Sequence, residues 1–352
     1  MTALGDLLIR RIAQTGPITL AEYMAECLMH PTLGYYSTRD PFGAAGDFTT
    51  APEISQMFGE VLGLALAQAW LDQGAPAAFT LAELGPGRGT LMADVLRATR
   101  AVPGFHAAAR VVLVETSAHL RARQRQALQD HPAQWLDNAH DLPDAPLFLL
   151  ANEFFDALPI RQFTRASQGW SETMVGQRAG TLTFGRSDST DIAALQSRLA
   201  DTIPGDVVEF CPAAAAIMSA IGARIATNGG LALIIDYGGW QSRGDTVQAL
   251  RGHAFADPLA DPGAADLTAH VDFAALAVAA LPARAAYTTQ GALLTALGIH
   301  ARAAKLGQHL TDAALESHQR ATHRLTAPEE MGELFKALAV FAPNAPFPPG
   351  FS

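Results

Sequence analysis

The residues best suited to chemistry stand at three places, each at the end of a short apolar run. The first is Glu83-Leu84-Gly85-Pro86-Gly87-Arg88-Gly89-Thr90, between the run FTLAEL and a helical pattern. Glycines at such a turn permit positive φ and close approach of backbone to a ligand. In a parallel sheet, ligands bind outside the carboxyl ends of the strands. A dinucleotide fingerprint is G-x-G-x-x-G. Here the third glycine comes one position early and Thr90 takes its place; a P-loop Lys-Ser/Thr pair is also missing. Glu83 just before the turn repels a phosphate and suits an ammonium. The second place is Glu115, which closes the run RVVLVE, where a carboxylate can accept both hydroxyls of a ribose. A ligand with an amino-acid end, a ribose and no phosphate meets these requirements, and S-adenosylmethionine fits that description.

The third place is Asn152-Glu153-Phe154-Phe155-Asp156-Ala157-Leu158-Pro159, at the end of the fourth strand of the pattern. Asn152 can both donate and accept beside the methionine end of such a ligand. Glu153 and Asp156 are two carboxylates suited to a cationic acceptor, and a guanidinium matches carboxylates through paired hydrogen bonds. The alternative for Asp156 is a helix cap. Asp266, Thr268, His270 and Asp272 form a further polar cluster in DLTAHVDF. It reads as a helix start, with Asp272 capping FAALAVAAL and His270 hydrogen-bonded nearby. Asp236-Tyr237-Gly238 ends another strand and takes no assigned role. No Cys/His spacing suggests a metal.

The elements that must position these residues follow from the apolar rhythm. Phe79–Leu84, Arg110–Glu115, Leu147–Asn152 and Leu231–Asp236 are continuous apolar runs, as a sheet covered on both faces requires. Leu91–Arg100 and Ala118–Gln129 are helical between them. Strands alternating with helices predict an α/β fold with a mostly parallel central sheet. Upstream, Thr19 and Glu22 form a capping-box pattern. Leu20, Tyr23, Met24, Cys27 and Leu28 then keep one helical face, which buries Cys27. Residues 33–52 read as a long, packed, irregular loop, and Ile54 to Trp70 as one long helix whose Gly59 and Gly63 serve close packing. Between 160 and 206, RQFTR, WSETMV and TLTFGR read as an antiparallel insertion. The resulting division is an N-terminal helical lobe over 1–75 and a core over 76–159 and 207–306. A β-rich insertion over 160–206, and a C-terminal helix with a Pro-rich tail over 307–352, complete it.

The 352 residues suffice for a large core without staples. Lys plus Arg number 24 and Asp plus Glu 34, a net charge of −10, which disfavours nucleic acid and suits a basic partner. Two cysteines cannot form a disulfide framework or a four-thiolate zinc site. No run of 18 apolar residues spans a membrane. The opening MTALGDLLIRRIAQTGP carries its basic residues after its apolar stretch, the reverse of a secretory signal. The bacterial cytoplasm is therefore the expected location, or the mitochondrial matrix for a processed organellar form.

The sequence resembles the MidA-like methyltransferases, the family of a mitochondrial complex I assembly factor. The resemblance runs over nearly the whole chain. It is carried by GPITLAEYMAECLMHPTLGYY, GDFTTAPEISQMFGE, ELGPGRGTLMADVLR, LVETS, ANEFFDALPIRQF, IIDYG, DLTAHVDF and TQGALLTALGI. The glycine loop is common among methyltransferases, whereas GDFTTAPEISQMFGE and ANEFFDALP are far more specific. Ala51 stands where the family leads one to expect Ser.

The resemblance implies a class I, Rossmann-like methyltransferase fold and S-adenosylmethionine as methyl donor. It also implies an arginine acceptor on a subunit of the respiratory NADH–quinone oxidoreductase and a symmetric dimethyl product. By the same resemblance Glu83, Gly85, Pro86, Gly87, Gly89 and Thr90 form the cofactor loop and Glu115 the ribose acid. Asp47, Phe48 and Thr50 close over the cofactor. Asn152 and Glu153 stand where arginine methyltransferases with a glutamate-rich loop grip the guanidinium, and with Asp156, read above from its type and spacing, they form the expected catalytic group. The competing readings are an assembly chaperone that binds cofactor without catalysis, and a methyltransferase with another acceptor. A nicotinamide enzyme is disfavoured by Thr90. Oligomeric state is not readable from the chain.

Overall fold

Apolar strands with nothing polar to show solvent must be covered on both faces, and one sheet of the chain meets that demand. The structure is a computed structural model and describes residues 2–38, 49–129 and 131–351. The chain divides into two units, one of 1–48, 156–214 and 239–272, the other of 49–155, 215–238 and 273–352.

The second unit holds α1 (Ala51–Ile54), α2 (Gln56–Asp72), β1 (Phe79–Leu84), α3 (Thr90–Thr99), β2 (Ala109–Val114), α4 (Ala118–Leu128), β3 (Ala133–Leu136) and β4 (Leu147–Asn152). It continues with most of α5 (Pro212–Asn228) and of β5 (Gly230–Gly239), then β6 (Arg284–Thr289), α6 (Ile299–Gly307) and β7 (Phe335–Phe341). The strands hydrogen-bond in the order β3-β2-β1-β4-β5-β7-β6. The first four contacts are parallel, and β7 runs antiparallel to both neighbours. This is the expected α/β, Rossmann-like sheet. The order reverses between β1 and β4, and such a switch point opens a crevice at the strands' carboxyl ends.

All six residues of β1 and the first five of β4 are buried. Phe79 packs at ring-centroid distances of 5.0 Å on Phe105 and 5.2 Å on Phe148. On one face lies α2, buried on most of its circumference. Its Gly59 and Gly63 abut α3: a Cβ on Gly63 would stand 2.9 Å from Val95 Cα, so the two helices meet only because neither glycine has a side chain.

The first unit is built differently. Its helix Leu20–Met29 opens on the expected capping box: Thr19 Oγ1 accepts the Glu22 amide while the Glu22 carboxylate accepts the Thr19 amide. Its inward face is Leu20, Tyr23, Met24, Cys27 and Leu28, as the spacing predicts. The expected antiparallel strands are Arg161–Arg165, Trp170–Arg178 and Thr181–Arg186, joined by Ile18–Thr19 and Val207–Phe210. A second sheet joins Gln248–Arg251, Ala254–Ala256 and Asp266–Thr268.

Three expectations about elements need correcting. The long helix expected from Ile54 to Trp70 starts two residues later, at Gln56, because Ser55 adopts extended backbone (φ −158°, ψ 133°) and its hydroxyl caps α2 by accepting the Met57 amide, while Ile54 ends the separate turn α1. Residues 49–75 belong with the sheet unit, so the lobe expected over 1–75 is divided between the two units. The expected C-terminal helix and tail contain β7, an interior strand of the main sheet, in which only Lys336 is not buried. Among the described residues no helix is long and apolar enough to cross a membrane.

Candidate functional site

Left-handed backbone at the carboxyl end of β1 is what the glycine loop supplies. Gly85, Gly87 and Gly89 have φ of +58°, +53° and +86°. A Cβ on Gly85 would lie 2.8 Å from Phe154 Cδ2, so the ring of Phe154 occupies the space the glycine leaves. The Gly85 amide donates to Val114 O at 3.0 Å and the Gly89 amide to Pro86 O at 2.8 Å, which closes the turn into α3.

Glu83 is 3% exposed, and burial pushes its carboxyl up to about 8. The neighbouring Glu115 charge adds to that rise, and a backbone hydrogen bond at Met92 opposes it. Its Oε2 is buried with no hydrogen-bond partner among the described residues. Glu115 Oε1 accepts the Ser117 amide at 2.8 Å, and its Oε2 accepts Gln124 Nε2 at 3.2 Å. Burial raises this carboxyl as well, against those hydrogen bonds.

Gln124, fully buried on α4, is a member of the site that the sequence did not single out. Its Nε2 donates to Gly87 O at 2.8 Å as well as to Glu115, and its Oε1 accepts Trp135 Nε1 at 2.8 Å. One amide thus ties the glycine loop to Glu115.

At the end of β4 the chain turns sharply. Glu153 has φ of +52°, a region that costs a non-glycine residue of order 1–3 kcal/mol and persists only where the surroundings enforce it. The enforcing contacts are visible. The Glu153 amide donates to Ile235 O at 2.9 Å, and the next amide but one, Phe155 N, donates to Asp236 Oδ2 at 3.0 Å. Asp236 is wholly buried and also accepts the Tyr237 amide at 2.9 Å. The residue without an assigned role therefore holds the turn that presents Glu153. Glu153 Oε1 accepts Asn152 Nδ2 at 2.9 Å and the Ala51 amide at 3.1 Å. Asn152 Oδ1 is another buried acceptor with no partner among the described residues.

Glu53 on α1 is another participant the sequence did not reveal. Its Oε1 accepts the Thr90 hydroxyl at 2.6 Å, and its Oε2 lies 3.9 Å from Arg88 Nη1. Thr50, buried, precedes α1 and accepts the Glu53 amide on its carbonyl at 3.0 Å. Asp47 and Phe48 lie outside the described residues.

The expected set is thus gathered within the sheet unit for Glu83, Gly85, Pro86, Gly87, Gly89, Thr90, Glu115, Asn152, Glu153 and Thr50. Asp156 belongs to the other unit. No helix follows it, so it caps none; its carbonyl accepts the Ala269 amide at 3.0 Å. In that unit Tyr36 donates to Asp266 at 2.9 Å. The Asp272 carboxylate accepts the Ser242 amide at 3.2 Å, and the His270 amide donates to Thr246 Oγ1 at 2.9 Å.

S-adenosylmethionine can be tested against these groups. The two orphaned acceptors, Glu83 Oε2 and Asn152 Oδ1, lie at the ends of adjacent parallel strands, and an ammonium is a donor that could satisfy such groups. Three left-handed glycines let the loop backbone turn tightly beside those strand ends. The residues fit the cofactor.

Comparison with known proteins points the same way. Residues 61–291 match the model of a family described as a putative S-adenosyl-L-methionine-dependent methyltransferase. The mitochondrial protein arginine methyltransferase NDUFAF7 of Danio rerio is 37% identical over 361 residues, covering 95% of this chain and 85% of that protein. Its Homo sapiens counterpart is 40% identical over 296 residues, covering 76% and 67%. A crystal structure from Burkholderia thailandensis, bound to S-adenosyl-homocysteine, superposes with a TM-score of 0.86 at 32% identity, covering 99% of this chain and 94% of that one.

Proposed function

The chain belongs to the S-adenosylmethionine-dependent methyltransferase family whose model it matches, and from that premise we propose that it methylates an arginine side chain of a protein. When bound, S-adenosylmethionine supplies an electrophilic methyl group on a sulfonium sulfur. The glycine loop binds it, with Glu83 taking the ammonium and Glu115 the ribose.

The acceptor is the harder partner. A guanidinium has a delocalised lone pair and stays protonated in proteins. Something must orient one nitrogen and stabilise the positive charge left on the others. Glu153 has the required properties: a carboxylate fixed at a strand end, with one oxygen held by Asn152 and the Ala51 amide. A preorganised charge of this kind stabilises developing charge without reorganising during the reaction. Holding acceptor and donor in line contributes up to about 7–11 kcal/mol. No strong base is needed, because the methylated guanidinium loses its extra proton late, to a carboxylate or water.

The observation that carries this reading is the strained, multiply anchored Glu153. The names of the curated relatives support arginine as the acceptor. The motif resemblance supports the finer proposal: the arginine lies on a subunit of the respiratory NADH–quinone oxidoreductase, is converted to the symmetric dimethyl form, and aids assembly. The site of action is then the compartment where that enzyme is built, bacterial cytoplasm or mitochondrial matrix.

The test is transfer from tritiated S-adenosylmethionine to proteins of cells from which the gene has been deleted, followed by hydrolysis and amino-acid analysis. Label in methylated arginine of one or a few proteins supports the reading. Label in a small molecule or in another residue type overturns it, as does cofactor binding without transfer, which is the behaviour of a chaperone.

A further inference from the structure

α1 is a single helical turn, Ala51–Ile54, too short to hold itself. Its place is set by what it touches. Ala51 and Pro52 are buried, and Ile54 packs on the core of the sheet unit. Its polar groups reach two different parts of the site. The Ala51 amide donates to Glu153 Oε1 at 3.1 Å. Two residues on, the Glu53 carboxylate accepts the hydroxyl of Thr90, the first residue of α3, at 2.6 Å, with Arg88 Nη1 at 3.9 Å. Arg88 and Thr90 flank Gly89, the last residue of the glycine loop, whose left-handed backbone starts α3. So one turn of helix is tied at its first residue to the acceptor carboxylate and at its third to the cofactor loop.

We infer that Glu53 is a positioning residue that fixes the cofactor loop through Thr90 and, through the turn that carries it, sets the Glu153 carboxylate. It touches neither reacting atom. With Glu53 removed, the Thr90 hydroxyl loses its acceptor and the start of α3 loosens. The turn then keeps only its apolar side, and the Ala51 amide no longer has a fixed place from which to donate. The cofactor half rests on the family's donor alone; the Glu153 half rests also on the arginine reading above.

The test is a mutant cycle on the full chain, read first as S-adenosyl-homocysteine affinity by calorimetry. Glu53→Ala and Thr90→Val each weaken binding about tenfold, the effect of one lost charge-assisted hydrogen bond. The double variant is no weaker than either single one, because both changes remove the same bond. Glu53→Gln, which keeps an acceptor oxygen for Thr90, stays within about threefold of the parent chain. A general loss of stability would lower the melting temperature without producing this non-additive pattern or its rescue by glutamine. Losses that add to about a hundredfold, or Glu53→Ala binding as tightly as the parent, overturn the Thr90 coupling. For the second half, Glu53→Ala at saturating donor loses methyl transfer beyond its loss of affinity. An unchanged rate at saturation overturns the link to Glu153. A parent chain that binds the probe but transfers no methyl group overturns the arginine reading and leaves the binding cycle to be judged on its own numbers.

Discussion

At the scale of the residue, the site runs on carboxylates in unlike surroundings. Glu83 is buried and pushed up to about 8, against an ordinary value of 4.5. Between those two values the folded protein holds a proton that the unfolded chain has released. The contribution of Glu83 to stability is therefore fully present below about pH 4.5 and is lost as pH rises through about 8. A ligand ammonium reverses the preference, because it favours the ionised carboxylate. Binding of S-adenosyl-homocysteine at pH 7 should then release about one proton at Glu83, seen as a calorimetric enthalpy that varies with buffer ionisation heat. Glu83→Gln should remove that variation; an unchanged proton count would take Glu83 out of the ammonium's site.

Gln124 gives a second prediction at the same scale. Gln124→Leu leaves Gly87 O and Glu115 Oε2 without a buried donor, a cost of about 1–3 kcal/mol. Titration of the variant should show S-adenosyl-homocysteine binding weakened about tenfold. Parent-like affinity would mean that the loop and the ribose acid need no tie. Gln124 does not stand out in the sequence, and Asp236 does so only as a strand end without a role. Their partners are 37 and 81 residues away, and a residue that acts by holding a distant backbone amide or carbonyl carries no local pattern. Glu83, Glu115 and Glu153 were legible because each interrupts or ends an apolar run.

At the scale of the element, close helix contact decides whether α2 can cover the sheet. A Cβ at Gly63 would meet Val95 backbone at 2.9 Å, and backbone cannot swing aside as a side-chain tip does. Gly63→Ala should lower unfolding stability by about 1–3 kcal/mol despite alanine's better helix propensity. Denaturant titration reads it, and a variant as stable as the parent would show that α2 and α3 part easily. The elements that were read well are those with one dominant signal: β1, β2 and β4 from continuous apolar runs, and the helix after Thr19 from its cap and stripe. Two were misread for stated reasons. Ser55 ends α1 by adopting extended backbone inside an unbroken apolar periodicity, so the interruption leaves no mark on the pattern. FKALAVF is rich in alanine and leucine, so helix and strand compete for it locally. Its place between β5 and β6 decides the matter.

At the scale of the molecule, the chain devotes one unit to the main sheet and builds the other from residues 1–48 and two segments that leave that sheet and return to it, 156–214 and 239–272. The first departure comes between Phe155 and Asp156, right after the turn that presents Glu153. This explains why two carboxylates three apart in sequence stand in different units. The net charge of −10 disfavours nucleic acid and suits a basic partner. With Glu83, Glu115 and Glu153 on the sheet unit, part of that negative charge lies where a cationic cofactor and a cationic acceptor are proposed to bind.

The central claim, that Glu153 serves methyl transfer to a protein arginine, is tested most directly by mass spectrometry. The samples are NADH–quinone oxidoreductase subunits from cells lacking this protein, complemented either with the parent chain or with Glu153→Gln. Symmetric dimethylarginine should be restored by the parent chain, with at least a 100-fold deficit for Glu153→Gln, the scale of removing one preorganised electrostatic group, while the purified variant still binds S-adenosyl-homocysteine. Equal methylation with the two chains, or subunits unmodified in both, would contradict that claim.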